Sequence, residues 1–415
     1  MNNAIIAQNK HWEGRYTGLY SRAVFAELLT HLEVRHIQVL QGIRRCGKSS
    51  LFKLLINHLT QNADPRSILY LNLDDPFFIQ YANKPEALYE VVLLAEKLTQ
   101  TKIQYIFLDE VQSLVGWEKY VKSVYDSQQF LKIFITGSNS SLLNSELATL
   151  LTGRYIPLQI YPFSFQEVLH MHDIHSRIEM SQQLPKILKI IDDLMHYGSF
   201  VEILEAPLTL KRKIIASYYE TILFKDCVSN AGIRDIKGFK ELTFYLITNL
   251  ATLYSYSSLA RGTNISDVSV KEYVFALEAS YLCTELKQFS YSPKEQASNK
   301  KKLYLTDNAF VRLTYGFSEN YGRLLENLVF AELQKRNAEI FFYNKGYECD
   351  FIVKSQAGLR AIQVCYAVND QNQAREMNGL LKLPFEVTDR FIITYNQSMS
   401  LDKVQVVPFW EYFGY

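Results

Sequence analysis

Eight residues, Gly42-Ile43-Arg44-Arg45-Cys46-Gly47-Lys48-Ser49, have the spacing of a loop that wraps a phosphate, and each type has a physical job there. Gly42 and Gly47 free the backbone to turn its N–H groups onto an anion. Lys48 is the cation that reaches the outer phosphates, and the Ser49 hydroxyl suits a magnesium ion. Ser50 opens a helix whose positive N-terminal end faces the same anion. Residues 42–50 therefore predict an ATP-binding segment, with ATP and Mg²⁺ as cofactors.

A second group of residues supplies what hydrolysis requires. The apolar run Tyr105-Ile-Phe-Leu ends in Asp109-Glu110, two carboxylates delivered at a strand end. Asp109 is the expected magnesium ligand opposite Ser49, and Glu110 the expected general base toward an attacking water. A later run, Phe134-Ile-Thr-Gly, ends in Ser138-Asn139, small polar side chains suited to orienting the water or sensing the γ-phosphate. Arg154 follows in Leu151-Thr-Gly-Arg and is expected on a loop at the same sheet edge. It would act in cis on its own site, or in trans on a neighbouring subunit of an oligomer.

These residues need a scaffold, and the hydrophobic periodicity provides one. Short apolar strands at 37–40, 68–73, 104–108, 132–136 and 156–160 alternate with helices at 51–59, 86–98, 117–130 and 140–151. That alternation predicts a parallel α/β sheet over residues 31–162, preceded by an N-terminal helical segment, 1–30, with a helix at 18–29. Residues 163–235 read as helix only, a lid-like block. Residues 236–315 read as three helices (239–253, 257–261, 266–282) and a hairpin, the layout of a winged helix, and 316–415 return to mixed α and β. On the third of those helices Val270, Val274, Leu277 and Tyr281 form the buried face, leaving Asp267, Lys271, Glu272 and Glu278 opposite. The hairpin at 285–302 carries Lys287, Lys294, Lys300, Lys301 and Lys302 against Glu285 and Glu295, a surplus of three positive charges. It serves either a non-specific DNA phosphate contact or protein packing.

The order GIRRCGKSS, LNLDD, YIFLDEVQ, FITGSNS, LTGRY and YPFSFQEVL resembles the AAA+-like P-loop ATPases of bacteria and archaea. The resemblance implies a P-loop core, a helical lid, a winged helix and a C-terminal domain of the PD-(D/E)XK nuclease-like fold. Where that family tends to have paired glycines followed by proline in the lid, this chain has Tyr197-Gly198-Ser199-Phe200-Val201. In the C-terminal domain Glu326, Asp350 and Gln363 fall at the positions of the nuclease ligands. Gln363 replaces the usual acid and Cys365 the usual lysine; Lys345 and Lys354 are the nearby alternatives for that cation. The expected function is Mg²⁺-dependent ATP hydrolysis that repositions the other domains, on DNA or with a protein partner. A slow ATP-binding switch or scaffold and an ATP-gated nuclease are the alternatives.

Composition narrows the field. The 415 residues are 48% hydrophobic with 10 prolines, which excludes a disordered chain and predicts several domains. A formal charge of +1 means that any nucleic-acid affinity comes from a local patch. Five scattered cysteines without a CxxC pair exclude the common zinc spacings and fit a reducing compartment. No apolar run spans a bilayer, so the expectation is a cytoplasmic protein that does not enter a membrane.

Overall fold

The structure is a computed structural model that describes residues 2–140, 150–314 and 320–415. Two compact units divide the chain, Met1–Tyr161 and Pro162–Tyr415.

In the first unit five described strands, β1 (Ile37–Gln41), β2 (Ile68–Asn72), β3 (Tyr105–Asp109), β4 (Lys132–Gly137) and β5 (Tyr155–Gln159), form one sheet in the order β2-β3-β4-β1-β5. Every pairing is parallel. The strands at its centre are buried and mostly apolar, as the apolar runs in the sequence predict for a sheet covered on both faces. Helix Lys48–Leu59 is seated on the sheet by Phe52, whose ring meets Phe107 of β3 edge-on at 5.1 Å, while Phe107 stacks on Phe134 of β4 at 4.3 Å. This aromatic trio holds the helix N-terminus above the ends of β1, β3 and β4.

The N-terminal segment begins its second helix later than expected, at Val24–Thr30 rather than residue 18, because Gly18 takes a left-handed turn at φ 68°. Its first helix, Asn2–Gln8, leads into side chains that cover the open edge of β2. Asn9 both accepts from the Tyr70 N–H and donates to the Tyr70 carbonyl, and Trp12 Nε1 donates to the Ile68 carbonyl. The helix expected at 140–151 falls mostly on 141–149, outside the described residues.

The second unit starts with helices Phe165–Met171, Arg177–Gln182, Leu184–Tyr197 and Val201–Glu205, then Leu208–Thr221, which runs on through a π segment, Ile222–Val228. Gly198 turns at φ 73° where any Cβ would collide with the Asp307 carboxylate. That carboxylate accepts the Ser199 N–H at 2.9 Å and the Ser199 hydroxyl at 2.7 Å. Three helices, Ile236–Thr248, Tyr256–Thr263 and Asp267–Ala279, precede an antiparallel pair, β6 (Cys283–Lys287) and β7 (Lys301–Leu305). The expected hairpin is thus two short strands joined through a helical turn, Pro293–Ser298. Val270, Val274 and Leu277 are buried as their spacing predicts. Glu278, expected on the outer face, is turned inward, where its carboxylate accepts the Glu285 N–H at 2.7 Å; burial, then the neighbouring Glu285, lift its pKa to about 7.

After helix Tyr321–Lys335 comes a mixed sheet of β8 (Glu339–Lys345), β9 (Tyr347–Ser355), β10 (Gly358–Val364), β11 (Asp389–Thr394), β12 (Met399–Leu401) and β13 (Val404–Pro408). Its order is β12-β13-β11-β10-β9-β8, with helix Gln373–Leu381 packed on β9 and β10. The strands β12 and β13 have no counterpart in the sequence reading. Among the described residues no helix is long and apolar enough to cross a membrane.

Candidate functional site

The loop 42–47 leaves β1 and enters helix Lys48–Leu59 through three left-handed residues, Gly42 (φ 150°), Arg45 (φ 69°) and Gly47 (φ 102°). Gly42 has no alternative: a Cβ there would strike the Ile160 carbonyl oxygen, just beyond β5. The side chain of Lys48 is 3% exposed and curls back beneath the loop, donating to the carbonyls of Gly42 at 2.9 Å and Ile43 at 3.2 Å. Cys46, within the loop, is a buried thiol whose pKa is pushed up by desolvation, so it packs rather than reacts.

Because β3 is parallel to β4 and β4 to β1, Asp109 and Glu110 emerge at the same edge as the loop. Glu110 stands 4.0 Å from the Lys48 ammonium. Asp109 is 1% exposed and gathers hydroxyl partners: Tyr70 donates at 2.6 Å, Thr136 donates to its other oxygen, and Ser49 completes the set. Burial, then the charge of Glu110, push the Asp109 pKa up, and the hydroxyls only partly offset this. A group in that condition gains from a cation brought alongside it. Ser49 and Asp109 side by side supply the hard oxygen donors that magnesium prefers, and the glycine-turned loop supplies the cradle, so the residues present fit Mg²⁺ and a polyphosphate.

Ser138 and Asn139 are both buried at the end of β4, next to the loop, since Gly137 lies opposite Gln41 in the register. The Ser138 hydroxyl accepts from Gln112 Nε2 at 3.1 Å and from Arg44 at 3.4 Å. Gln112 also donates to the Glu110 carboxylate. Thr136 accepts the Glu110 N–H at 2.9 Å while donating to Asp109, so one hydroxyl ties the Asp109 carboxylate to the Glu110 backbone. Arg22 anchors the loop from the N-terminal segment, donating to the Cys46 carbonyl at 3.0 Å and the Tyr161 carbonyl at 2.8 Å. Sequence reasoning passed over Tyr70, Thr136, Gln112 and Arg22. The signal for Thr136 was a hydroxyl following an apolar run within a strand; Tyr70 and Arg22 have partners distant in sequence, and Gln112 gave no sign beyond its place two residues after Glu110.

Arg154 is not where it was expected. It precedes β5, and β5 runs parallel to β1 with Tyr155 opposite Ile37, so Arg154 sits at the N-terminal edge, where its carbonyl accepts the Ile37 N–H at 2.8 Å. The length of β1, roughly 13 Å at the usual rise per residue, separates that edge from the loop. Its guanidinium is paired with Asp126 at 3.0 Å. A parallel strand must start at the edge opposite to the one where the preceding strand ended, and this rules out a role in cis.

In the second unit Glu326, Asp350 and Gln363 do come together, with an unexpected companion. Lys302, read as an exposed lysine of the hairpin, is 2% exposed and lies 3.5 Å from Glu326, 2.9 Å from Glu348 and 3.4 Å from Asp350. Lys345 and Lys354 are engaged elsewhere, with Glu295 and Glu339. Cys365 is buried just past the end of β10, its thiol kept neutral by desolvation.

The family described as AAA domain matches residues 34–169, the span that holds this loop and both carboxylates. Two families described as domain of unknown function, DUF8612 and DUF4143, match residues 188–320 and 321–412. The uncharacterized protein MJ1544 of Methanocaldococcus jannaschii is 33% identical over 401 residues, covering 91% of this chain and 88% of that one. The chain belongs to its family, AAA+-like P-loop ATPases with an added C-terminal domain. An uncharacterized protein of Haemophilus influenzae is 29% identical over 391 residues, covering 92% of this chain and 95% of the other. Among solved structures, the Walker-type ATPase PABY2304 of Pyrococcus abyssi aligns over 72% of this chain and 97% of its own at 17% identity and a TM-score of 0.46.

Proposed function

We propose that this AAA-domain protein binds Mg²⁺–ATP at residues 42–50 and hydrolyses it. The observation that carries the proposal is the convergence of Lys48, Ser49, Asp109 and Glu110 at one sheet edge, beneath a loop that only Gly42 can close. Bound Mg²⁺–ATP supplies the phosphoryl group and a divalent charge beside it. Lys48 exchanges its bonds to the Gly42 and Ile43 carbonyls for phosphate oxygens, a swap of neutral acceptors for charged ones. Ser49 and Asp109 would hold the metal, and Thr136 and Tyr70 fix the Asp109 carboxylate. Glu110 accepts a proton from the attacking water, steadied by Gln112; Ser138 and Asn139 line the approach. Arg154, at the opposite edge, acts in trans on a second copy of the chain. Turnover measured on the full chain and on Glu110→Gln tests the reading: ATP retained with turnover lost supports it, and equal turnover overturns the role of Glu110.

The three-helix and hairpin region, 236–315, is assigned as a winged helix and 316–415 as a nuclease-like domain. Nucleotide turnover repositions them. DNA is the proposed partner, contacted by Lys287, Lys294 and Lys300, which remain exposed in the segment where Lys302 is buried. DNA-stimulated turnover is the expected result; slow turnover indifferent to DNA would favour a switch that docks a protein.

A further inference from the structure

The carboxylates of the second unit are arranged by simple alternation. Lys302 and Tyr304 are two apart on β7 and therefore share a face, and so do Glu348 and Asp350 on β9. Glu326, on helix Tyr321–Lys335, meets both pairs. Each of these acids already spends at least one oxygen on an internal partner. Glu326 Oε1 accepts from the Tyr304 hydroxyl at 2.6 Å and lies 3.5 Å from Lys302 Nζ. Asp350 Oδ1 faces Lys302, and Oδ2 accepts the Val364 N–H at 3.0 Å. Gln363, the one neutral candidate, spends its carbonyl oxygen on the Asp350 N–H at 3.2 Å. Among the described residues no cluster of three His, Cys, Asp or Glu side chains is arranged to hold a metal ion.

We infer that Lys302 is the resident cation of this cluster: its ammonium stands where a divalent ion would bind, closes the site to metal-dependent phosphodiester cleavage, and clamps strand β7 to helix Tyr321–Lys335 and strand β9. Three carboxylates within 3.5 Å supply the buried ammonium with its counter-charge. A second cation entering would have to sit against the first. The clamp joins the segment matched as one domain of unknown function to the segment matched as the other, since Lys302 precedes residue 320 and the three acids follow it. The inference does not depend on ATP hydrolysis in the first unit.

The test is a Mn²⁺ titration of the nucleotide-free full chain, followed by electron paramagnetic resonance, on the native protein, Asp350→Asn, Lys302→Met and the double variant. Native and Asp350→Asn proteins should give the same titration and no cleavage of linear, nicked or branched DNA. Lys302→Met, an uncharged side chain of similar length, should gain one Mn²⁺ site roughly tenfold or more tighter than the native background, because a charged ligand set sets such affinities. That site should vanish in the double variant. Mn²⁺ binding or cutting by the native protein that is lost in Asp350→Asn would overturn the inference. A folded Lys302→Met without the new site would overturn it as well. Where Lys302→Met does not fold, the native-against-Asp350→Asn comparison alone decides. ATP affinity, measured in parallel, should stay unchanged in all four proteins; its loss across the set would indict the nucleotide site and leave the clamp standing.

Discussion

Two buried lysines, one in each unit, face carboxylates, and they do opposite things. Lys48 donates to two neutral carbonyls and holds Glu110 at 4.0 Å, beside an Asp109 whose own partners are all hydroxyls. Lys302 touches three carboxylates directly, the nearest at 2.9 Å. The first arrangement leaves a cation bonded to neutral carbonyls with one carboxylate at the limit of ion pairing, and a second, buried carboxylate served by hydroxyls, which suits a ligand that carries both signs. The second is satisfied internally. A buried charge that has its partner makes structure, and one that lacks it makes a binding site.

The comparison can be broken by removing each element in turn. Lys48→Ala should cost the most, roughly a hundredfold in ATP affinity by calorimetry, the scale of a lost hydrogen bond to a charged group. Unchanged affinity would mean that Lys48 is as self-satisfied as Lys302. Glu110→Gln should keep binding while turnover drops by roughly 10² or more, since a base rather than a ligand is lost. Arg154→Ala should impair turnover only in assemblies: mixed with Lys48→Ala protein, it should regain part of the activity, because an intact loop then meets an intact arginine. No recovery in a demonstrated oligomer would leave Arg154 as the ion-pair partner of Asp126 alone.

A smaller effect sharpens the contrast from the acidic side. Glu278 has its pKa raised to about 7 by burial first and by Glu285 next, opposed by the Glu285 N–H and by Lys287 and Lys301. A carboxyl raised in the folded state contributes stability that is complete below its unfolded value near 4.5 and is lost as pH rises through about 7. Glu278→Gln should therefore gain on the native protein at pH 8, by about 1–3 kcal/mol, and the gap should close by pH 4.5 in denaturation of the two proteins. A gap independent of pH would assign the effect to packing. The smallest expected change is for Lys287, Lys294 and Lys300 replaced together by glutamine. DNA binding should weaken alike for all sequences, and the salt slope should fall by about 0.9 for each phosphate that is no longer neutralised. An unaltered slope would leave the hairpin as a packing element.

The nucleotide loop was legible from sequence because its chemistry is local. Gly42, Gly47, Lys48 and Ser49 act through backbone turns and a helix start that they themselves specify, and the apolar runs before Asp109 and Ser138 announce parallel strands whose ends must share an edge. Where function turned on which strand lies beside which, local pattern was silent. Arg154 was placed at the wrong edge because sequence proximity to β4 says nothing of the direction in which the chain recrosses the sheet; only the pairing of Tyr155 with Ile37 decides it. Thr136, one hydroxyl serving both Asp109 and Glu110, became meaningful only when β3 and β4 lay side by side.

Lys302 marks the limit most sharply. In sequence it is the last of three consecutive lysines and reads as one more solvated charge. Strand alternation turns it to the face opposite Lys301, and packing against a helix and a strand that follow it by 24 to 48 positions surrounds it with acids. Sequence by itself determined the glycine-bounded loop, the alternation of strands and helices in the first unit and which residues are proposed to hold a metal and a base. Tertiary structure alone decided which cations face which anions, because Coulomb energy depends on distance and burial, and neither is a property of position along the chain.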